Sequence, residues 1–337
     1  MILPGAFVGR VFDTVVVGAG PTGLACAIDG GRRGLDVLVV EKGTVVNTVV
    51  GYPADMTFFS TPELLEIGGH PFTPLGIRPK RVEAIHYYQG VVRAEALQLL
   101  LNCRVIAVEK GADGLFNVST DRGPVRARTV VLSTGYFDTP NPLGVPGHDL
   151  PHVYYRYHEP YPFYGRDVLV IGGRNSAVEA ALDLWRHGVR VTMVHRGAEL
   201  GRGVKYWVRP DIENRIANRE IPMHLNTVVE SIHLDRVDLF SATTGERWSI
   251  PCAAVFAMIG HRPDVGLFDA CGVAYDPETL IPRFNAATFE TDRPGLYLAG
   301  SVICGCRTWE VFIENGRAHA AIVMEQIGAS LQRNAVR

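Results

Sequence analysis

The chain has six cysteines in 337 residues, and no two of them are spaced Cys-x-x-Cys. That absence excludes a thioredoxin-like dithiol and a zinc-binding pair, and so sparse a set does not make a secreted disulfide scaffold. No metal site is expected. Charge of one sign is also missing: the formal net charge is −2, which gives no electrostatic case for nucleic acid or an anionic membrane as the main partner. No apolar run approaches the ~20 residues that span a bilayer. Residues 1–8 are apolar, but no basic region precedes them and they run through Arg10 into a strand pattern, so they do not read as a signal peptide. A cytoplasmic protein is expected. With 47% hydrophobic and 20% charged residues the composition is that of an ordinary globular chain, and the length suits two domains.

The stretch that organises the rest is 14–28, Thr-Val-Val-Val-Gly-Ala-Gly-Pro-Thr-Gly-Leu-Ala-Cys-Ala-Ile. It reads as a buried strand turning through Gly18, Gly20 and Gly23 into a helix. Gly18 permits the tight exit, Gly20 the close approach of a diphosphate, and Gly23 the packing of helix on sheet, with the helix N-terminus facing the anion. A second strand, Asp-Val-Leu-Val-Val-Glu, ends at Glu41, 18 residues past Gly23, where a bound dinucleotide's ribose needs an acceptor.

Residues 47–74 show no long helical period and read as a loop wrapped over the ligand, with Thr57 a candidate to touch a flat ring. An amphipathic helix is expected over 91–101, then short strands at 104–109, 116–120 and 125–128, and a hydrophobic strand delivering Ser133-Thr134-Gly135 back to the ligand. Residues 136–147 hold three prolines and two glycines and read as a crossing between domains.

The pattern then restarts. Residues 167–182 are again strand, glycine turn and helix, followed by a strand ending at His195; Gly18 to Glu41 and Gly172 to His195 are both 23 positions. Each half therefore carries a nucleotide site. Where the first copy has a carboxylate, the second has His195-Arg196, donors suited to a phosphate, so its ligand is expected to be NADPH rather than NADH. Arg202 and Lys205 are candidates for the same pocket, with a solvated-surface role as the alternative. The second turn departs from the fingerprint, with Arg174 at the middle glycine and Ala177 at the last. Short strands are expected over 228–250, a buried strand from Ala254, a second crossing after it, a last strand reaching Gly300, and a closing helix over 311–327.

Together, the two turns, the Ser-Thr-Gly before the first crossing, Gly-His-Arg-Pro-Asp before the second and the terminal Ala-Gly resemble the two-dinucleotide flavoprotein reductases of low-molecular-weight thioredoxin reductase type. Within that group, the segments beginning Met56-Thr-Phe-Phe-Ser-Thr-Pro-Glu, Gly172-Gly-Arg-Asn-Ser-Ala, Lys205-Tyr-Trp-Val-Arg-Pro-Asp and Phe312-Ile-Glu-Asn-Gly resemble the bacillithiol disulfide reductase branch. The resemblance covers nearly the whole chain. It implies two Rossmann-type three-layer α/β domains in a homodimer: an FAD domain over 1–142 and 264–337, and an NADPH domain over 143–263 inserted into it. It implies FAD contacts from Gly18, Gly20, Pro21, Thr22, Gly23, Glu41, Lys42, Asn47 and Thr57, from the Val105 backbone, and from Thr134, Gly135, Gly300 and Ser301. NADPH would meet Gly172, Arg174, Asn175, Ser176, Ala177, His195, Arg196, Arg202 and Lys205.

Three departures matter. The place of the usual Cys-x-x-Cys is taken by Tyr-Tyr-Arg-Tyr-His-Glu-Pro-Tyr-Pro-Phe from Tyr154, so thioredoxin should not be reduced by that route. Ser301 stands where an aspartate usually follows Ala-Gly. Thr22 stands where some relatives of the branch carry a cysteine. The expected activity is NADPH-dependent reduction of a small disulfide such as oxidised bacillithiol through FAD, with Cys304 and Cys306 as candidate redox thiols. Two alternatives stand beside it: electron transfer to a ferredoxin or flavodoxin, and a flavin-holding redox sensor without turnover.

Overall fold

The computed structural model describes residues 9–335, so the apolar stretch 1–8 lies outside the described residues. The chain divides into two compact units, the first made of the chain up to Gly51, Asp55–Thr139 and His261 onward, the second of Tyr52–Ala54 and Pro140–Gly260. The second unit is thus inserted into the first.

The first unit opens with strands β1 Val11–Val17, β2 Val37–Val40, β3 Leu99–Leu100, β4 Val105–Lys110, β5 Phe116–Thr120 and β6 Val125–Leu132. Their order across the sheet is β3-β2-β1-β6-β5-β4. The Val-rich runs of β1 and β2 are buried along almost their whole length because neighbouring strands and helices cover them, the pattern of a parallel sheet. Helix α1, Pro21–Arg32, follows β1 and buries Leu24, Ala27 and Ile28. The expected breaks at 125–128 and 130–135 are one continuous strand. Its first residues pair with β5 in antiparallel register, and Val130–Leu132 are left for another partner.

The helix expected over 91–101 spans Arg81–Ala94 instead. Ala96 takes a left-handed φ of 49° just past its end, and Leu99 and Leu100 then pair with β2 rather than continue the helix. Nor is 47–74 plain loop: it contains helical turns at Asn47–Val50 and Pro62–Leu65.

The second unit holds β7 Val153–Tyr154, β8 Asp167–Ile171, β9 Arg190–Val194, β10 Met223–His224, β11 Thr227–Ile232, β12 Arg236–Ser241, β13 Arg247–Pro251 and β14 Ala254–Ala257. A parallel sheet runs β10-β9-β8-β14-β7, and β11-β12-β13 form a separate antiparallel sheet. Helix α2, Asn175–Arg186, lays Val178, Ala181 and Leu182 into the core, the i, i+3, i+4 stripe of an amphipathic helix. In the segment that takes the place of the usual Cys-x-x-Cys, Tyr154, Tyr157 and Phe163 pack around Phe256 with ring centroids 5.0–5.5 Å apart.

The chain returns to the first unit with β15, Leu296–Leu298, which takes the open edge of β6 at Val130–Leu132 in parallel register. The closing helix expected over 311–327 is interrupted: a short turn at Ile313–Gly316 precedes a helix over His319–Ala335. Gly316 ends that short turn at a close approach: a Cβ there would lie 3.1 Å from Val311 Cγ1 and 3.3 Å from the Gly300 Cα, so a side chain would need those neighbours to give way. Both units are α/β folds of Rossmann type. Among the described residues, no helix is long and apolar enough to cross a membrane.

Candidate cofactor sites

In the first unit the carboxyl ends of β1, β2, β6 and β15 converge. Ligands of open parallel sheets bind on that edge, where strand order reverses; here β1 has β2 on one side and β6 on the other. Gly18 has φ 109°, and a Cβ on it would meet the Ser133 carbonyl oxygen at 2.5 Å. A Cβ at Gly23 would lie 2.0 Å from the Gly18 carbonyl oxygen. Gly20 is different: nothing lies within 4 Å of its would-be Cβ. It is the N-cap of α1 with no side-chain cap, and Pro21 follows, so the first free amides of the helix stay turned toward that open side. A diphosphate fits this cradle.

Glu41, just past β2, is 7% exposed. Its Oε2 accepts from the Ala19 N–H at 2.9 Å and its Oε1 from the Gly43 N–H at 2.8 Å, which fixes the carboxylate against the glycine turn and leaves each oxygen a further lone pair. Burial pushes its carboxyl above the usual range, against the pull of those two amides. Lys42 pairs with Asp138 at 2.6 Å. Asn47 opens a helical turn entered through Val46, whose N–H donates to the Ala19 carbonyl at 2.9 Å. Val105 follows closely on Cys103, whose N–H donates to the Glu41 carbonyl at 2.9 Å. These predicted residues therefore surround one edge.

On the other flank, Ser133 N–H donates to the Val17 carbonyl at 2.8 Å, placing Thr134 and Gly135 beside the turn. Gly135 has φ 65°, and its would-be Cβ lies 3.4 Å from Ser301 Oγ. Thr22 Oγ1 is 2.8 Å from where a Gly300 Cβ would stand. Thr57 is the exception. It is exposed and bridges Lys80, and no described contact ties it to the glycine turn. Sequence reasoning missed His319, whose Nδ1 accepts from the Gly300 N–H at 3.1 Å and whose ring stacks on Phe289 at 4.3 Å. Burial holds that imidazole below its ordinary pKa, the neutral form an acceptor nitrogen requires.

In the second unit Gly172 repeats the role of Gly18, with φ 139° and a would-be Cβ 2.5 Å from the Met258 carbonyl oxygen. Arg174 is the exposed N-cap of α2, without a side-chain cap bond, and Ser176 is exposed beside it while Ala177 is buried. His195 lies in a slot between two glycines: would-be Cβ atoms at Gly173 and Gly197 would meet its ring at 2.6 and 2.7 Å. Burial first, then the guanidinium groups of Arg196 and Arg174, hold its pKa down. Arg196 and Arg174 thus both bring positive charge to the His195 ring at this turn.

Asn175 uses both ends of its amide on the following loop, donating to the Gly203 carbonyl and accepting from the Lys205 N–H, each at 2.9 Å. Lys205 is a partial correction to the expected phosphate set, because its ammonium pairs with Glu179 at 2.5 Å. Its backbone and side chain both anchor the loop to α2. Glu179 was missed; its signal was its spacing four residues from Asn175, which puts both on one helix face. Arg202 stays at the surface, its side chain 95% exposed.

The candidate thiols do not suit redox work as a pair. Cys304 is buried and burial pushes its thiol up to about 11, away from the thiolate that attack on a disulfide requires. Cys306 is exposed, and the two are free thiols.

A family model described as pyridine nucleotide-disulphide oxidoreductase matches residues 15–300. The bacilliredoxin reductase Bdr of Bacillus subtilis is 39% identical over 313 residues, 93% of this chain and 96% of that one. The chain belongs to the pyridine nucleotide-disulphide oxidoreductase family, in its bacillithiol disulfide reductase branch. The solved bacillithiol disulfide reductase Bdr (YpdA) from Bacillus cereus superposes with a TM-score of 0.92 at 37% identity, over 95% of this chain and all of that one. A more distant relative is a ferredoxin–NADP reductase of Sulfurisphaera tokodaii, 26% identical over 86% of this chain and 84% of that one. The protein is an oxidoreductase that depends on FAD and a nicotinamide dinucleotide.

Proposed function

We propose that the first unit holds FAD, the second holds NADPH, and the enzyme reduces a low-molecular-weight disulfide, with bacillithiol disulfide the leading substrate. The observation that carries the assignment is the contrast at the end of each second strand: a buried carboxylate fixed against the first turn, and His195 with Arg196 and Arg174 at the second. A carboxylate accepts from a free ribose 2′-hydroxyl and repels a 2′-phosphate, whereas guanidinium groups do the reverse.

The chemistry supplied when FAD is bound is two-electron transfer from reduced nicotinamide to the disulfide, so that NADPH, one proton and RSSR give NADP⁺ and two RSH. The chain's own residues bind and orient. Gly18, Gly20 and Gly23 shape the diphosphate cradle, Glu41 takes the ribose, Thr134, Gly135, Gly300 and Ser301 close the opposite flank, and His319 keeps the Gly300 amide in place. With Cys304 buried as a thiol, electrons reach the substrate disulfide without a protein dithiol. The solved relative's name, bacillithiol disulfide reductase, supports that substrate class.

A second reading is one-electron transfer to a ferredoxin or flavodoxin, favoured by the missing Cys-x-x-Cys and by the ferredoxin–NADP reductase relative. One NADPH-oxidation assay with bacillithiol disulfide, other small disulfides, a bacilliredoxin, a ferredoxin and a flavodoxin separates them. Turnover is expected with bacillithiol disulfide. Turnover with the ferredoxin or flavodoxin alone would install the second reading. We further propose a cytoplasmic homodimer; light scattering should return twice the mass of the chain.

A further inference from the structure

Two aromatic rings, one largely exposed and one partly so, sit side by side in the loop that Asn175 and Lys205 anchor. Tyr206 is 77% exposed and Trp207 37%, with ring centroids 4.8 Å apart at an interplanar angle of 88°. Exposed aromatics on a surface loop are ordinarily mobile, but these two are braced. The Asn175 amide holds the backbone at Gly203 and Lys205, and Lys205 is paired with Glu179 while its ammonium lies 5.8 Å from the centre of the Trp207 ring. Arg209, two residues beyond Trp207, donates from Nη2 to the Gly201 carbonyl at 2.6 Å. Gly201 in turn donates its N–H to the Gly173 carbonyl at 2.8 Å, and its would-be Cβ lies 3.1 Å from Arg174 Cγ.

The aromatic pair is therefore fixed through Gly201 to the same turn that gathers Arg174, His195 and Arg196. An exposed ring on a loop tied to a turn that carries cations is complementary to a ligand with a flat π-face next to a phosphate. We propose that Tyr206, braced edge-to-face by Trp207, is the platform on which the purine base of a 2′-phosphorylated adenine nucleotide stacks, which rests on the assignment of NADPH to the second unit. Lys205 is then a positioning residue: its pairing with Glu179 sets the loop's height and its charge lies against Trp207 rather than against the phosphate.

The test measures binding of 2′,5′-ADP to the FAD-loaded enzyme by calorimetry for wild type, Y206A, Y206F and R196A. Tyr206 is largely exposed, so its replacement leaves the core intact, and flavin content and melting temperature check this directly. The expected result is about a tenfold rise in Kd for Y206A, none for Y206F because the ring is kept, and an unchanged salt dependence in Y206A because the phosphate contacts survive. Y206A binding as tightly as wild type, with R196A weakened, would overturn the platform and leave the NADPH assignment standing. Failure of wild type to bind 2′,5′-ADP would overturn both.

Discussion

At Gly18 and at Gly172 the chain makes the same move, leaving a buried strand through a glycine of positive φ into a helix of twelve residues. The surroundings differ. In the first turn the third glycine touches backbone, with no room for a methyl group; in the second, that position is already Ala177 and is buried without difficulty. The first turn leaves open space over Gly20, while the second places the side chain of Arg174 there. The first is closed by a carboxylate held on two amides, the second by an imidazole slotted between two glycines and flanked by arginines. Under the proposed assignment, the shared backbone path binds a dinucleotide in each unit, and the residue ending the second strand selects which kind.

The sharpest way to break this comparison is to give both turns the same residue. G23A drives a Cβ to 2.0 Å from the Gly18 carbonyl oxygen; it should cost about 1–3 kcal/mol of stability and yield protein with almost no absorbance near the flavin band. A smaller effect is expected from E41Q. A carboxamide accepts through one oxygen only, so it loses either the Ala19 or the Gly43 amide. FAD affinity should fall about tenfold, the worth of one charge-assisted hydrogen bond, as followed by flavin release on dilution, with the preference for NADPH over NADH unchanged.

His195 offers a subtler probe. Its folded pKa is held below the ordinary histidine value, so between the two the unfolded chain binds the extra proton, and this group's contribution to stability grows as pH rises through that window. A bound phosphate pulls the pKa back up. NADP⁺ affinity should therefore increase as pH falls from about 7 toward 5, and H195N should flatten the profile; calorimetry across that range checks both. The smallest effect belongs to A177G, the reverse of the first substitution. It should lower stability by the roughly 1 kcal/mol that glycine costs inside a helix, read as a lower melting temperature, and leave NADPH affinity alone.

Much of this was legible in the residues themselves. The spacing of Gly18, Gly20 and Gly23 before Glu41 follows from backbone sterics and strand length, and these local constraints are written in sequence. Register and tertiary pairing are not. Nothing local to Leu99 and Leu100 tells a helix end from an edge strand beside β2, and the left-handed Ala96 that decides it is a tertiary outcome. Lys205 looked like one more cation for a phosphate because its partner Glu179 lies 26 positions away. His319 escaped notice because its role is to accept from one amide, at Gly300, that only folding brings to it. Nothing in the residues around Cys304 tells a reactive thiol from a packing one; its burial is a tertiary outcome.

The division of labour between the turns is tested most directly by anaerobic reduction of the enzyme-bound flavin, followed by bleaching, with NADPH and with NADH in wild type and R196A. Wild type should bleach far faster with NADPH at limiting coenzyme. R196A should lose about 2 kcal/mol of that preference, roughly thirtyfold, while keeping its full complement of flavin. An R196A enzyme that retains the wild-type preference for NADPH, or that loses its flavin instead, would contradict the account.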